Sequence, residues 1–272
     1  MSKFPENLIT NNNLVENVVE KEREPRKIIV LIRHPEQDFK LKRPMELAKE
    51  GEDINTHSPI TRQGLKQLRQ LSEYLEKEFP WKVLDGEYSI YSSPIKRAQR
   101  AADILETNIK LKTTDGAKIP TPVNNSDAIL NCFSEVIFAT DIATDDKIIK
   151  EAEIKGASVV DVWLEMEGEK LLPRFQSKLD DIRKGFTYLE QQPTKLDIVV
   201  SHGLAIATTI WAVNNPKKFK DLEYELIMED LKEIIKYSKD IPHTSITEFN
   251  VYDDGINIGR VGEIPHLEEK DK

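Results

Sequence analysis

The chain has 272 residues and a formal net charge of −9, enough for one large α/β domain or two small ones. Its lysines and arginines are scattered among acids, which excludes a broad basic groove for nucleic acid, and no apolar run approaches the ~20 residues that span a bilayer. A single cysteine, Cys132, excludes an internal disulfide framework, reads as a small buried hydrophobe, and suits a reducing, cytoplasmic setting.

Residues 1–26 are polar and Asn-rich, without the basic-then-apolar order of a secretory signal, and read as a flexible arm with a short helix near 14–22. The first strand is KIIVLIR, whose apolar run from Ile28 to Ile32 ends in Arg33 and His34, followed by Pro35. A long loop follows, carrying Lys40, Lys42 and Arg43, which either steers anionic groups of a ligand or is a solvated surface loop. TRQGLKQLRQLSEYLEKEF places Leu65, Leu68, Leu71, Leu75 and Phe79 at helical spacing, with Thr61 as its cap. EYSIYSSP reads as a second strand, and IKRAQRAADIL as the helix it feeds.

Residues 136–172 are acidic and mixed, and read as an excursion over the working edge of a sheet. PRFQSKLDDIRKGFTYLEQQ is a helix that starts from Pro173 in its first turn. LDIVVSHG is a third strand leading into the helix LAIATTIWAV. Residues 214–241 read as one charged helix, a second excursion. SITEFNVYDDGINIGRVGE reads as two strands around an Asp-Gly turn, a hairpin at the sheet edge, and 266–272 as a tail.

Three repeats of strand, polar turn and helix predict an α/β domain over 27–265, built on a doubly wound, mostly parallel sheet. In such a sheet, ligands bind outside the carboxyl ends of the strands. Those ends present Arg33-His34, then Ser92-Ser93 with Arg97 one turn into the helix, then Ser201-His202-Gly203. Two imidazoles, two guanidinium forks and a helix N-terminus on one rim make a pocket for a tetrahedral oxyanion. Taken singly each piece is weak: an SHG is usually a turn, and a helical arginine is usually surface.

The words LIRHPEQ, SPITRQGLKQLRQL, YSSPIKRAQRAADIL, IVVSHGLAIATTI and HTSITEFNV, in this order, resemble the histidine phosphatase superfamily, also called phosphoglycerate mutase-like, in its larger branch. The resemblance implies a three-layer fold with helices on both faces of the sheet. It implies a phosphatase that forms a phosphohistidine on His34, with Arg33, Arg97, His202 and Gly203 holding the phosphoryl group and a protonated His202 adding positive charge. It implies no cofactor and no metal, and a phosphorylated small molecule or phosphoprotein as substrate, with neither nucleic acid nor membrane as partner. A family word of the form L-x-E is matched by NCFSEVIF, which offers Glu135 as general acid, with Asp127 and Asp141 as fallbacks.

The chain also departs from the family. Pro35 stands where a glycine is usual, and Lys40 where an asparagine is usual. Proline cannot take positive φ and has no N–H, yet its carbonyl stays available as an acceptor. A phosphoglycerate-type mutase and a catalytically weak phospho-ligand-binding or regulatory protein are therefore the alternatives. The mutase word around the acid is missing from NCFSEVIFATD, which favours hydrolysis. His57, His243 and His266 are read as non-catalytic, and oligomeric state is left open.

Overall fold

The structure, a computed structural model, describes residues 24–36, 60–79, 87–112, 146–157 and 159–267. Glu135, Asp127, Asp141, Cys132, His57 and the loop lysines Lys40 and Lys42 with Arg43 lie outside them, as does the N-terminal arm to residue 23. Among the described residues, the strands are β1 (Lys27–Arg33), β2 (Tyr88–Ser92), β3 (Leu196–Ser201), β4 (Ile246–Val251) and β5 (Ile256–Glu263). The helices are α1 (Arg62–Glu78), α2 (Lys96–Lys112), α3 (Asp146–Lys155), α4 (Val159–Gln191), α5 (Gly203–Asn214), α6 (Pro216–Lys220) and α7 (Met228–Lys239).

One sheet runs in the order β2-β3-β1-β4-β5. It is parallel across β2, β3 and β1, and antiparallel from β1 through β4 to β5. The expected edge hairpin is β4–β5, closed at Asp253-Asp254-Gly255 by the Tyr252 N–H donating to the Gly255 carbonyl at 2.8 Å.

β1 shows why its sequence is an unbroken apolar run. Alternate side chains of a strand face opposite sides of the sheet. Ile28, Val30 and Ile32 pack with Leu68, Leu71 and Leu75 of α1 and with Ala98, Ala101 and Leu105 of α2. Ile29 and Leu31 pack on the other side, with Phe175, Leu179 and Ile182 of α4, Ile206 and Ile210 of α5, and Leu231 and Ile234 of α7. Helices thus cover both faces, as the doubly wound expectation requires.

At the start of β1, Lys27 is buried with Asp197 of β3, Nζ to Oδ2 at 2.8 Å, and also donates to the Gln192 carbonyl at 3.0 Å. That clamp ties two strand starts to the end of α4. The carboxyl ends, on the opposite side, are left for the site.

Two helix expectations are corrected. The helix expected to begin at Pro173 is instead part of α4, which starts fourteen residues earlier at Val159 and kinks at Glu167 (φ −139°, ψ 21°). Pro173 lacks the N–H that would bond the carbonyl four residues back, which marks a bend as readily as a start. The single charged helix expected over 214–241 is two helices, α6 and α7, with a turn between. Asp230 organises that turn, accepting from Lys218 Nζ at 2.7 Å, Tyr224 OH at 2.6 Å and the Ile227 N–H at 3.1 Å. His266 and Leu267, expected to belong to the tail, pack into the fold. No described helix is long and apolar enough to cross a membrane.

Candidate active site

The Arg33-His34 pair leaves β1 between two partners. The His34 N–H donates to the Ser201 carbonyl at 3.0 Å, continuing the parallel ladder with β3. The Arg33 N–H donates to the Ser245 carbonyl at 3.2 Å, on the turn before β4. The backbone of the pair is therefore held on both sides before any side chain is considered.

His34 Nδ1 lies 2.9 Å from the carbonyl oxygen of Pro35. A carbonyl can only accept, so Nδ1 carries the proton and Nε2 presents its lone pair. Pro35 supplies this acceptor as well as a glycine would. Its neighbourhood is tight: a Cβ on Gly64 would come within 2.7 Å of the Glu36 carbonyl oxygen, 2.8 Å of Ile60 Cγ2 and 3.3 Å of Pro35 Cβ. Glycine at position 64 lets the first turn of α1 sit against the residues that follow His34. The expected cap is present there, with Thr61 Oγ1 accepting from the Gly64 N–H at 2.8 Å and the Thr61 N–H donating to the Glu36 carbonyl at 3.2 Å.

His202 ends β3 and is the N-cap of α5. Its ring centroid lies 5.1 Å from that of His34. Nδ1 is 3.3 Å from Arg97 Nη2, and Nε2 is 2.9 Å from Ser93 Oγ. A guanidinium can only donate, so Nδ1 of His202 accepts and Nε2–H donates to the serine, a neutral tautomer. Arg33 crosses to the same place, its guanidinium against Gly203, where a Cβ would lie 3.6 Å from Arg33 Cζ, and its Nη1 bonded to the Ile241 carbonyl. Arg33, His34, Arg97, His202 and Gly203 therefore do share one rim, while Glu135 lies outside the described residues.

The electrostatics follow from burial among cations. His34 is held well below the usual imidazole range, first by desolvation and then by Arg97, against the opposing pull of its bond to Pro35. His202 is lowered likewise, by desolvation and then by His34, Arg97 and Lys178. Burial beside two guanidiniums disfavours a third positive charge at His202.

Of three further residues in this region, the sequence reading names Ser93 only as part of a strand end and His243 as non-catalytic, and misses Lys178. His243 stands 5.5 Å, ring to ring, from His34 on the side away from β3. In the sequence it is the first residue of HTSITEFNV. Lys178 is a buried lysine of α4 whose charge reaches His202, and helical amphipathicity gave no hint of it. Ser93, whose side chain also accepts from the Ile95 N–H at 3.3 Å, fixes the His202 tautomer. No group of three or more potential metal ligands occurs among the described residues. A cleft of about 700 Å³ lined by Arg183, Phe186, Phe219 and Tyr252 contains none of these residues; it sits by the β4–β5 turn, at the other end of the strands.

A family model described as histidine phosphatase superfamily (branch 1) matches residues 29–118. No curated protein matches the chain. Among solved structures, a candidate alpha-ribazole-5'-P phosphatase from Escherichia coli aligns at 14% identity over 89% of this chain and 100% of that one, with a TM-score of 0.50. The alpha-ribazole phosphatase from Shigella flexneri aligns at 13% identity over 87% and 96%, also at 0.50. A phosphoglycerate mutase from Bacillus anthracis aligns at 14% identity over 89% and 96%, at 0.47. Residues 29–118 thus match the histidine phosphatase family model, and the chain as a whole shares the fold of the two alpha-ribazole phosphatase structures.

Proposed function

We propose that the chain hydrolyses a phosphomonoester through a phosphohistidine on His34. The observation that carries this reading is the Nδ1 contact to the Pro35 carbonyl, which leaves Nε2 unprotonated on a ring that neighbours His202, itself bonded to Arg97. The Nε2 lone pair attacks phosphorus, the bond from phosphorus to the ester oxygen breaks, and the alcohol leaves. Water then attacks phosphorus, the N–P bond breaks, and phosphate departs with the imidazole neutral again.

Arg33 and Arg97 supply the positive charge that the transferring group needs, so the scheme calls on no metal. Arrival of the phosphoryl dianion draws the Arg97 fork toward its oxygens and reverses the field at His202, which then takes up a proton and joins them. Gly203 opens α5 beside Arg33 and offers its backbone N–H to the same group. The departing alkoxide takes its proton from Glu135, an assignment resting on the NCFSEVIF word alone.

Purified protein is expected to release p-nitrophenol from p-nitrophenyl phosphate in the presence of EDTA. His34→Ala, which removes the attacking atom, is expected to lower kcat at least 10³-fold, on the order of losses seen when a catalytic nucleophile is deleted. Turnover that persists in His34→Ala rejects the nucleophile. Phosphate binding without turnover in the wild type favours the regulatory alternative.

A further inference from the structure

The turn before β4 is built more firmly than a connection to a strand requires. Thr244 is fully buried yet holds φ at 57°, the only positive φ of a non-glycine residue among those described. A β-branched residue in that region is strained, and such strain persists where surrounding bonds over-determine it. Those bonds are present. The Thr244 N–H donates to the Arg33 carbonyl at 3.0 Å, the Arg33 N–H to the Ser245 carbonyl at 3.2 Å, and the Ser245 N–H to the Pro242 carbonyl at 3.2 Å. Arg33 Nη1 donates to the Ile241 carbonyl, and Thr244 Oγ1 meets both the His243 carbonyl at 2.7 Å and His266 Nε2 at 3.2 Å.

The residue this clamp positions is His243. Its ring lies 5.5 Å from that of His34 at an interplanar angle of 53°, nearly matching the 5.1 Å and 56° of His202. The nucleophile is thus flanked by two imidazoles. The two differ in one respect. His202 is fully buried with both ring nitrogens engaged, whereas His243 is half-buried and, among the described residues, its ring nitrogens have no hydrogen-bond partner. A ring held this rigidly beside a nucleophile, with its nitrogens unspent, is placed to meet a ligand.

We propose that His243 is a third phosphoryl-contacting imidazole, a catalytic residue that donates a hydrogen bond from its ring to a non-bridging oxygen of the phosphomonoester held against His34. The assignment rests on the proposed phosphoryl site and adds to it a contact from the turn before β4, on the antiparallel side of the sheet. Desolvation, then Arg33 and Arg97, lower the His243 ring to about 4. A dianion beside the same two guanidiniums replaces repulsion with attraction, so ligand binding loads a proton onto His243. The clamp explains why the turn tolerates strain: relaxing Thr244 would swing the ring away from the nucleophile.

The test is a titration of the ¹⁵N-labelled full chain with inorganic phosphate at neutral pH, following imidazole resonances. The His243 signals are identified by their loss in His243→Gln. They are expected to shift as phosphate saturates the site, with the His243 titration midpoint rising by at least one pH unit, and His243→Gln is expected to raise both the phosphate inhibition constant and KM for p-nitrophenyl phosphate about tenfold, with a smaller change in kcat. His243 signals that stay fixed while those of His34 move, or unchanged constants in His243→Gln, overturn the proposal. So does the absence of any phosphate-induced shift. A shift at His243 in a wild type that binds phosphate but does not hydrolyse the ester upholds it and rejects the hydrolase reading instead.

Discussion

His34 keeps its proton on Nδ1. The Pro35 carbonyl holds Nδ1–H at 2.9 Å, and burial beside Arg97 keeps the ring neutral. The substitution that looks most damaging in the sequence, proline for glycine, leaves the atom that matters untouched, because a carbonyl is common to every residue. What proline removes is an N–H, and its fixed φ is no obstacle where the chain has just left a strand. The proton for the leaving group is a separate matter. Glu135→Gln is expected to slow an alkyl phosphate ester at least tenfold more than p-nitrophenyl phosphate, whose leaving group needs little protonation. Equal slowing of the two esters points to a different acid.

Each element delivers its residues through ordinary packing rules. β1 alternates Ile28, Val30 and Ile32 against Ile29 and Leu31 and so fixes the height at which Arg33 and His34 emerge. α1 is set against the next residues by a glycine. Gly64→Ala would force a methyl to 2.7 Å from the Glu36 carbonyl and 2.8 Å from Ile60 Cγ2. It is expected to cost ~1–3 kcal/mol by overpacking and to lower kcat along with stability, since the displaced segment contains Pro35. Chemical denaturation alongside steady-state kinetics checks both, and a variant with wild-type midpoint and rate refutes the tight-contact account. The strands and α1, α2 and α5 were legible from periodicity and caps. The kink of α4 and the division of 214–241 into α6 and α7 were not. Both turn on what the segment packs against: Asp230 can gather Lys218, Tyr224 and the Ile227 N–H only once the fold has brought them within reach.

Among the described residues the molecule buries two imidazoles and half-buries two more, and desolvation lowers every one: His34 and His202 well below the usual range, His243 and His266 to about 4. The unfolded chain binds protons near 6.5, the folded chain only at lower pH, so between these limits the unfolded state holds more protons. Stability is therefore complete above about pH 6.5 and falls as pH drops toward about 4. The melting temperature is expected to fall by at least about 5 °C between pH 7 and pH 5 at equal ionic strength. Inorganic phosphate should recover part of that loss, because it binds the folded state and favours protonated imidazoles there. A flat melting profile across this range would contradict the burial of these rings.

Local chemistry decided a great deal in advance. The alternation of apolar residues, the polar ends of three strands and the order of five short words were enough to assemble an α/β sheet with arginines and histidines at one edge, because periodicity and side-chain type are properties of adjacent residues. The role of His243 could not be read in the same way. It sits in the chain as a polar residue before a strand, and nothing near it in sequence says that β4 lies antiparallel to β1 with its leading turn bonded to Arg33. Only the pairing of strands more than two hundred residues apart brings that ring to 5.5 Å from the His34 ring. Distances of that kind belong to the sheet, because they are set by hydrogen bonds between segments that share no local code.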